Sequence, residues 1–184
     1  MILSDNQIKE YIKANKITVE PEPDYKEQLS GASLDLRLGN EFRVFDYAQS
    51  IVMDPKNPQE CTKVTKLKKN EFFVVHPGEF VLGITEENVG IDNTICSRID
   101  GKSSVGRLGI VVHSTAGHVN PGWKGKLTLE ISNIGRIPVL LYPGMRICQL
   151  VFETLTTPAT AVYEGKYMNQ KSPQESKISK ENIK

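Results

Sequence analysis

The 184-residue chain has the length of one compact domain, which should bury roughly 70% of the surface that its unfolded form exposes. With 39% hydrophobic residues, 24% charged residues and a net charge of +1, it has the composition of an ordinary globular protein, which argues against a disordered chain or a nucleic-acid coat. No apolar run approaches the roughly 18 residues of a membrane-spanning helix, so we do not expect a membrane partner. Because of the ordinary composition and charge, we do not expect a nucleic-acid partner either.

The cysteines and the first residues bear on the compartment. The chain has three cysteines and no Cys-x-x-Cys pair, which predicts neither a disulfide framework nor a zinc knuckle. It also begins without the basic segment and apolar core of a signal peptide. We therefore expect a reducing, cytoplasmic location.

The chain opens with a predicted amphipathic helix over about residues 4 to 14. Ser4 and Gln7 form a capping-box signature, and Ile8 and Ile12 follow at helical spacing. No second helix of convincing length is predicted.

After this helix the hydrophobic period becomes that of a strand. Residues 33 to 38 alternate between polar and apolar types, as a half-buried strand does, and Gly39-Asn40 follows as a turn signal. Strand-like runs then recur at residues 42 to 45, 72 to 75, 80 to 84, 94 to 99, 108 to 113, 126 to 131, 137 to 141 and 147 to 152.

Pro-Gly turn signals separate several of these runs. Many short strands without βαβ alternation indicate an all-β sandwich, jelly roll or distorted barrel. From Glu164 onward the chain is poor in apolar residues and rich in Lys, Ser, Gln and Asn, which predicts a mobile tail. We therefore expect one β domain over residues 1 to 163, followed by a flexible tail over residues 164 to 184.

Residues 101 to 107, Gly-Lys-Ser-Ser-Val-Gly-Arg, concentrate glycines, hydroxyls and cations directly after a predicted strand. Such a segment can hold phosphate, because glycine lets backbone N–H groups approach the oxygens while the cations offset the negative charge. It is not a Walker A loop, since Cys96 stands where that motif requires its first glycine. A solvated hairpin turn accounts for the local pattern equally well.

Glu130 lies in the predicted strand over residues 126 to 131. If Leu127, Leu129 and Ile131 face the core, Glu130 faces the other way. A carboxylate in that position is usually only solvated, but contact with a ligand would suit it to moving protons.

Other polar residues also have two readings. Asn120 stands before Pro121-Gly122 and is most often a turn residue, although its amide can hold a sugar hydroxyl. His113 ends an apolar run and is more often structural than catalytic. With three histidines and no paired cysteines, the sequence lacks the ligands for a protein-held metal.

Taken together, these motifs resemble dCTP deaminases, which belong to the trimeric dUTPase superfamily. The resemblance covers nearly the whole chain, and its joint specificity is high although each piece alone is weak. The matching segments are Met-Ile-Leu-Ser-Asp at the start, residues 32 to 39, residues 101 to 107, His113-Ser114-Thr115-Ala116-Gly117, Asn120-Pro121-Gly122-Trp123, Thr128-Leu129-Glu130, residues 144 to 150, and Lys166-Tyr167 with Gln170.

The resemblance implies a homotrimer of distorted jelly rolls of the dUTPase type, with each active site at a subunit boundary. By position, Glu130 is the general acid/base that deprotonates water for attack on cytosine C4 and delivers protons to N3 and the leaving ammonia. Ser103 and Arg107 would surround that water and the carboxylate, and Arg107 would keep Glu130 ionised.

The same resemblance implies a nucleotide site that the tail covers. Tyr163, Lys166 and Gln170 on the tail would meet the triphosphate, together with Gln149 and the hydroxyls and lysine of residues 101 to 107. The full set of implied nucleotide-binding residues is Lys102, Ser103, Ser104, Val105, Gly106, Arg107, Asn120, Thr128, Leu129, Glu130, Gln149, Tyr163, Lys166 and Gln170.

The implied partners are nucleotides. dCTP would be the substrate, and dUTP and dTTP are further nucleotides for the same site. Mg²⁺ would travel with the triphosphate. No zinc is expected, because the chain lacks the His-x-Glu and Pro-Cys-x-x-Cys signature of zinc deaminases.

Two features bear on the product. Ala116-Gly117 matches relatives that also cleave the triphosphate and release dUMP, whereas relatives that release dUTP carry a bulkier residue after the alanine. Against this, the family places an aspartate where this chain has Asn120, and an amide cannot take a proton. Deamination is therefore the better supported step.

Three other functions stay open. The enzyme could stop at dUTP, or it could be a dUTPase without deaminase activity, although the presence of Glu130, Ser103 and Arg107 argues for deamination. A regulatory protein that binds the nucleotide without turnover is a further alternative because of Asn120. A purely structural jelly roll would not need the cations, hydroxyls and carboxylate together.

Overall fold

The computed structural model describes residues 1–46, 52–57, 61–113 and 115–181. Its N-terminal helix α1 (Asp5–Lys13) has the predicted capping box, with the Gln7 amide donating to Ser4 Oγ and the Ser4 amide donating to Gln7 Oε1 at 3.0 Å. Ile8 is completely buried, so the helix is amphipathic as predicted. Within the described ranges, no helix has the length and apolar character needed to cross a membrane.

Antiparallel strands are the main regular elements of the described chain. They are β1 (Ile17–Glu20), β2 (Leu29–Ser30), β3 (Ser33–Arg37), β4 (Glu41–Phe45), β5 (Thr62–Lys66), β6 (Phe73–Val75), β7 (Phe80–Ile91), β8 (Ile95–Gly101), β9 (Ile110–Val112), β10 (His118–Val119), β11 (Lys124–Asn133), β12 (Val139–Leu141) and β13 (Arg146–Thr154). Short helices α2 (Tyr25–Gln28), α3 (Ser103–Gly106) and the 3-10 turn η1 (Ile178–Lys180) complete the elements.

The strands form two large sheets and a small one. The first sheet has the order β5-β4-β7-β11-β9, with β1 also paired to β7. The second has the order β10-β8-β13-β3-β2, and β12 pairs with β6 separately. This architecture confirms the predicted all-β, distorted jelly-roll fold, and the large sheets stay open at their edges.

The core lies where the apolar sides of the strands meet. On β11, Leu127, Leu129 and Ile131 are at most 4% exposed, whereas Thr128 and Glu130 between them are only partly buried. The alternation that predicted the orientation of Glu130 is therefore confirmed.

Some strand predictions were wrong in extent. The run predicted over residues 108 to 113 becomes a strand only at Ile110, because the preceding residues form α3 and the turn after it. β7 continues to Ile91, well beyond the predicted end at residue 84. The sequence reading missed β1, β2, β5 and β10, which are only two to five residues long.

The strand predicted over residues 33 to 38 is confirmed as β3, but its predicted half-buried character was wrong. Ser33 and Asp35, expected to face solvent, are 8% and 4% exposed. These polar side chains tolerate burial because each has a polar partner, Gln149 for Ser33 and Lys102 for Asp35.

A buried carboxylate ties the two large sheets together. Glu87 on β7 is completely buried and accepts three hydrogen bonds, from the Arg37 amide at 2.8 Å, Arg37 Nε at 2.7 Å and Gln28 Nε2 at 3.0 Å. The hydrogen bond from the Arg37 side chain to Glu87 raises the pKa of Arg37. Since β7 and β3 belong to different sheets, this contact fixes how the sheets pack.

We expect Arg37→Met to lower the free energy of unfolding by about 3 kcal/mol, because it leaves the Glu87 carboxylate buried without its cation. Urea unfolding at a fixed protein concentration measures this change. Arg98→Met is the matched control, because Arg98 pairs with Asp100 and Glu153 at the surface and its loss should leave stability nearly unchanged. Equal losses in the two variants would contradict the role given to Glu87.

Candidate active site

A cavity of about 430 Å³ opens on the outer face of the first sheet. Its floor contains Glu130 and Thr128 from β11, Leu82 from β7 and Phe45 from β4. Glu130 is the direct cross-strand partner of Leu82, and directly opposed residues of an antiparallel pair share one face. The strand register therefore places the predicted catalytic carboxylate on the cavity floor.

The turn before β11 forms one side of the cavity. The Trp123 amide donates to the Asn120 carbonyl at 3.1 Å, which closes a tight turn through Pro121 and Gly122. Gly122 has a φ of +82°, a conformation that this turn position requires and that glycine adopts without strain. Asn120 lines the cavity, and the Trp123 ring packs against the Tyr163 ring with centroids 5.2 Å apart.

The Glu130 carboxylate has one side-chain partner among the described residues. Its Oε2 accepts a hydrogen bond from Thr115 Oγ1 at 2.9 Å, and no described cation forms an ion pair with it. The Glu130 carbonyl also accepts the His113 amide at 3.0 Å, so β11 and the end of β9 hold this region together. Oε1 stays available for a water molecule or a substrate.

Several polar atoms around the cavity are buried without a hydrogen-bond partner in the described part of the chain. They are Nδ1 and Nε2 of His113, Thr128 Oγ1, Gln170 Oε1 and Gln174 Oε1, and all four residues line the cavity. Buried polar groups are normally hydrogen-bonded, so this set favours a ligand rich in donors and acceptors.

The tail packs along the edge of β11. Gln170 Nε2 donates to the Lys126 carbonyl at 2.7 Å, the Lys126 amide donates to the Gln170 carbonyl at 3.0 Å, and the Asn169 amide donates to the Lys124 carbonyl at 2.8 Å. A Cβ on Gly125 would lie 3.1 Å from the Gln170 nitrogen, so the glycine permits this approach. The tail thus covers the cavity, whereas its predicted mobility stays a prediction.

A second anchor holds the end of the tail beside the cavity. Arg43 Nε on β4 donates to the Pro173 carbonyl at 3.1 Å, and Arg43 Nη1 and Thr62 Oγ1 both contact Glu175 Oε1. Glu175 itself lines the cavity. The tail is therefore fixed at two points, on β11 and on β4.

Residues 101 to 107 form neither a hairpin turn nor part of this cavity. Lys102 stands at the N-cap of the one-turn helix α3, Val105 packs into the core, and the remaining side chains are exposed: Ser103, Ser104 and Arg107. Among the described residues that line the cavity, none comes from this segment, and no hydrogen bond or ion pair joins it to Glu130.

Of the other side chains assigned to the triphosphate, Tyr163 and Gln170 line the cavity, whereas Gln149 and Lys166 do not, nor does Lys102. Lys102 Nζ binds the Asp35 carboxylate at 2.5 Å, and Gln149 Oε1 accepts a hydrogen bond from Ser33 Oγ at 3.2 Å. Lys166 contacts Glu181 and the Lys177 carbonyl, and its hydrogen bond to Glu181 raises the pKa of Lys166. Within one chain, the predicted site residues therefore form two groups: those that line the cavity with Glu130, and those outside it, including residues 101 to 107, Gln149 and Lys166.

The predicted product marker lies partly in the cavity. Ala116 lines it, whereas a Cβ on Gly117 would lie only 2.9 Å from the Ile99 carbonyl. Gly117 is thus also required by packing against β8. Leu129, one of the implied nucleotide-binding residues, is completely buried on the core side, so only its backbone can meet a ligand.

Sequence reasoning assigned no role to some residues that shape the site. Thr115 lies within the motif of residues 113 to 117, and its hydroxyl next to Ala116 was the only sequence signal for the contact with Glu130. Trp123 forms an aromatic wall that its motif did not reveal. Arg43 and Glu175 meet across 132 residues of sequence, and no local pattern links them.

The chain is similar to known proteins over almost its full length. A family model described as dCTP deaminase-like matches residues 2–155. A protein of Dictyoglomus turgidum named "dCTP deaminase, dUMP-forming" is 48% identical over 97% of this chain and 95% of its own length. A protein of Methanobrevibacter smithii with the same name is 45% identical over 96% of this chain and 95% of its own length.

A solved structure is also similar. The crystal structure of 2'-deoxycytidine 5'-triphosphate deaminase from Agrobacterium tumefaciens superimposes with a TM-score of 0.64 and 26% identity. The match covers 83% of this chain and 48% of that chain, so the present chain spans about half of its length. From the family model and the identities over almost the full length, it follows that this chain belongs to the dCTP deaminase-like family.

Proposed function

We propose that this protein hydrolyses dCTP to dUMP, ammonia and diphosphate, without zinc. The relatives named "dCTP deaminase, dUMP-forming" support the substrate and the product. The observation that carries the proposal is the position of Glu130 on the floor of a cavity, beside buried polar atoms that have no hydrogen-bond partner among the described residues.

Glu130 performs the proton transfers of deamination. Its carboxylate takes a proton from a water molecule, and the resulting hydroxide attacks C4 of the cytosine. Glu130 delivers that proton to N3, and it then takes the proton of the new C4 hydroxyl and gives it to the amine, which leaves as ammonia while C4 becomes a carbonyl. Thr115 donates to Oε2 and so leaves Oε1 to face the water.

The tail and the cavity walls exclude bulk water and hold the nucleoside. Trp123 and Tyr163 provide an apolar wall, and Asn120, which lines the cavity, has an amide that can bind a sugar hydroxyl. Within the described ranges, the side-chain oxygens of Gln170 and Gln174 have no hydrogen-bond partner, so they can accept hydrogen bonds from a base or sugar. The tail then acts as the lid over the bound nucleotide.

The phosphate-binding residues belong, in this proposal, to a neighbouring subunit of a homotrimer. Ser103 and Arg107 are exposed and do not contact Glu130 of their own chain, so a subunit boundary is where the two groups can meet. There Arg107 of one subunit would hold the Glu130 carboxylate of the next in its charged form.

Mg²⁺ enters as part of the substrate, held by the phosphate oxygens. Among the described residues no three His, Cys, Asp or Glu side chains are grouped to hold a metal, whereas residues 101 to 107 supply hydroxyls and cations suited to phosphate. We also place dUTP and dTTP among the nucleotides that fit this site. The three free cysteines support the cytoplasm as its location.

One observation favours a second candidate, a deaminase that releases dUTP. Asn120 stands at the cavity where a carboxylate base would assist attack on the α-phosphate, and its amide cannot take the proton. Positioning and electrostatic stabilisation of the phosphate still leave a route to dUMP, although a slower one.

Glu130→Gln should keep dCTP binding while ammonia release falls by about 10² or more, because the amide cannot accept the proton from water. Steady-state ammonia release and a dCTP titration measure the two effects. Glu153→Gln is the matched control, since Glu153 lies outside the cavity lining and pairs with Arg98. Near-normal turnover in Glu130→Gln would remove Glu130 from the mechanism.

Removing the tail from Glu164 onward should weaken dCTP binding by about tenfold or more, because the lid contacts to the nucleotide are lost. The trimer should stay intact, as light scattering can show. Lys171→Ala is the control, because Lys171 is an exposed tail residue outside the cavity lining. If the shortened protein binds dCTP as tightly as the full chain, the lid role is wrong.

Asn120→Asp should release diphosphate about tenfold faster or more than the original protein, because a carboxylate at this position can act as a base. Ammonia release should change less. Chromatography of dUMP and dUTP gives the readout, and Asn93→Asp, at an exposed turn outside the cavity lining, is the control. Two results contradict this expectation: dUTP as the sole product of both proteins, or no gain in diphosphate release.

A further inference from the structure

The proposed chemistry leaves one buried carboxylate without a role. Asp35 on β3 has a side chain that is 6% exposed, and it binds Lys102 Nζ at 2.5 Å. Arg146 Nη1 lies 3.5 Å from the same carboxylate oxygen, but Arg146 also contacts the carbonyl and carboxylate of Glu27. Lys102 is therefore the principal partner of Asp35.

Strand β3 also positions Gln149, which lies on the neighbouring strand β13. Asp35 and Gln149 are direct partners in the pairing of β3 with β13, so their side chains share one face of the sheet. Ser33, two residues before Asp35 and on the same face, donates from Oγ to Gln149 Oε1 at 3.2 Å. Two neighbouring polar residues of β3 thus each hold one of the side chains assigned to the triphosphate.

We propose that Asp35 is a positioning residue for the substrate triphosphate, which acts by holding Lys102, and that Ser33 acts in the same way through Gln149. This inference rests on the proposed function, because it takes Lys102 and Gln149 as phosphate contacts. Neither Asp35 nor Ser33 touches the nucleotide.

The geometry explains why the buried Asp35 carboxylate lies beside the Lys102 ammonium that is assigned to phosphate. A lysine ammonium has three donors, and one bond to Asp35 leaves two for phosphate oxygens. Lysine also has a long flexible side chain, and fixing it before the ligand arrives lowers the entropy that binding must overcome. Burial of Asp35 keeps its carboxylate in place, so the ammonium is held at one point rather than moving freely over the surface.

The test compares Asp35→Asn with Asp100→Asn in the full-length protein. Asp100 is the matched control, because it is the partner of Gln149 on the opposite strand β8 but pairs with Arg98 instead of Lys102. Titration measures the binding of dCTP, inorganic tripolyphosphate and deoxycytidine to each variant.

We expect Asp35→Asn to weaken dCTP and tripolyphosphate binding by about tenfold, the effect of losing one hydrogen bond between charged groups. Deoxycytidine binding should not change, and the KM for dCTP should rise while kcat stays close to its original value. Asp100→Asn should change none of these quantities. A general structural defect would instead weaken deoxycytidine binding as well.

Ser33→Ala is a second variant that keeps the inference testable if Asp35→Asn fails to fold. It should weaken tripolyphosphate binding by about threefold, as expected for loss of one neutral hydrogen bond. Unchanged or tighter tripolyphosphate binding in the folded variants would overturn the positioning role. Absence of ammonia release from dCTP by the original protein would reject the deaminase function alone, because tripolyphosphate binding is measured without turnover.

Discussion

The antiparallel register between β7 and β11 decides which side chains face the cavity. Glu130 lies opposite Leu82, and a shift of one residue would turn the carboxylate into the core and Leu129 into the cavity. The register changes once, at a bulge where the Leu127 amide donates to Thr85 Oγ1 at 2.9 Å. The buried hydroxyl satisfies the amide that the bulge removes from the ladder, so the irregularity is stable.

Buried polar contacts then determine how the second sheet sits against the first. Glu87 on β7 binds Arg37 on β3, and Asp35 on the same β3 binds Lys102, which follows β8. An apolar interface alone would tolerate small shifts, whereas hydrogen bonds to a buried carboxylate have a narrow range of geometry. These contacts of β3 therefore link the position of α3 to β7, which pairs with β11.

The local parts of the fold and site could be read from the sequence. The capping box of α1, the turn at Asn120 and the outward face of Glu130 all depend on residues close together in the chain. Contacts between distant residues could not be read in this way, because they depend on register and sheet packing. The pairing of Asp35 with Lys102 spans 67 residues, and neither the strand pattern around Asp35 nor the segment around Lys102 links the two.

The short elements were hard to predict for a related reason. A two-residue strand such as β10 (His118–Val119) carries no hydrophobic period, and its place depends on β8. The one-turn helix α3 likewise lacks the length of a helical pattern and is defined by the packing of Val105. In both cases tertiary contacts, rather than local preference, determine the structure.

The pairing of the tail with β11 also makes opening of the tail detectable at single amides. The Lys126 amide is bonded to the Gln170 carbonyl and the Asn169 amide to the Lys124 carbonyl, so these hydrogens are protected only while the tail is docked. Their exchange with deuterium therefore reports the free energy of local opening, separately from global unfolding. Because Lys126 and Glu130 lie on the same strand, four residues apart, the mobility of the tail can be followed next to the proposed catalytic carboxylate without any nucleotide present.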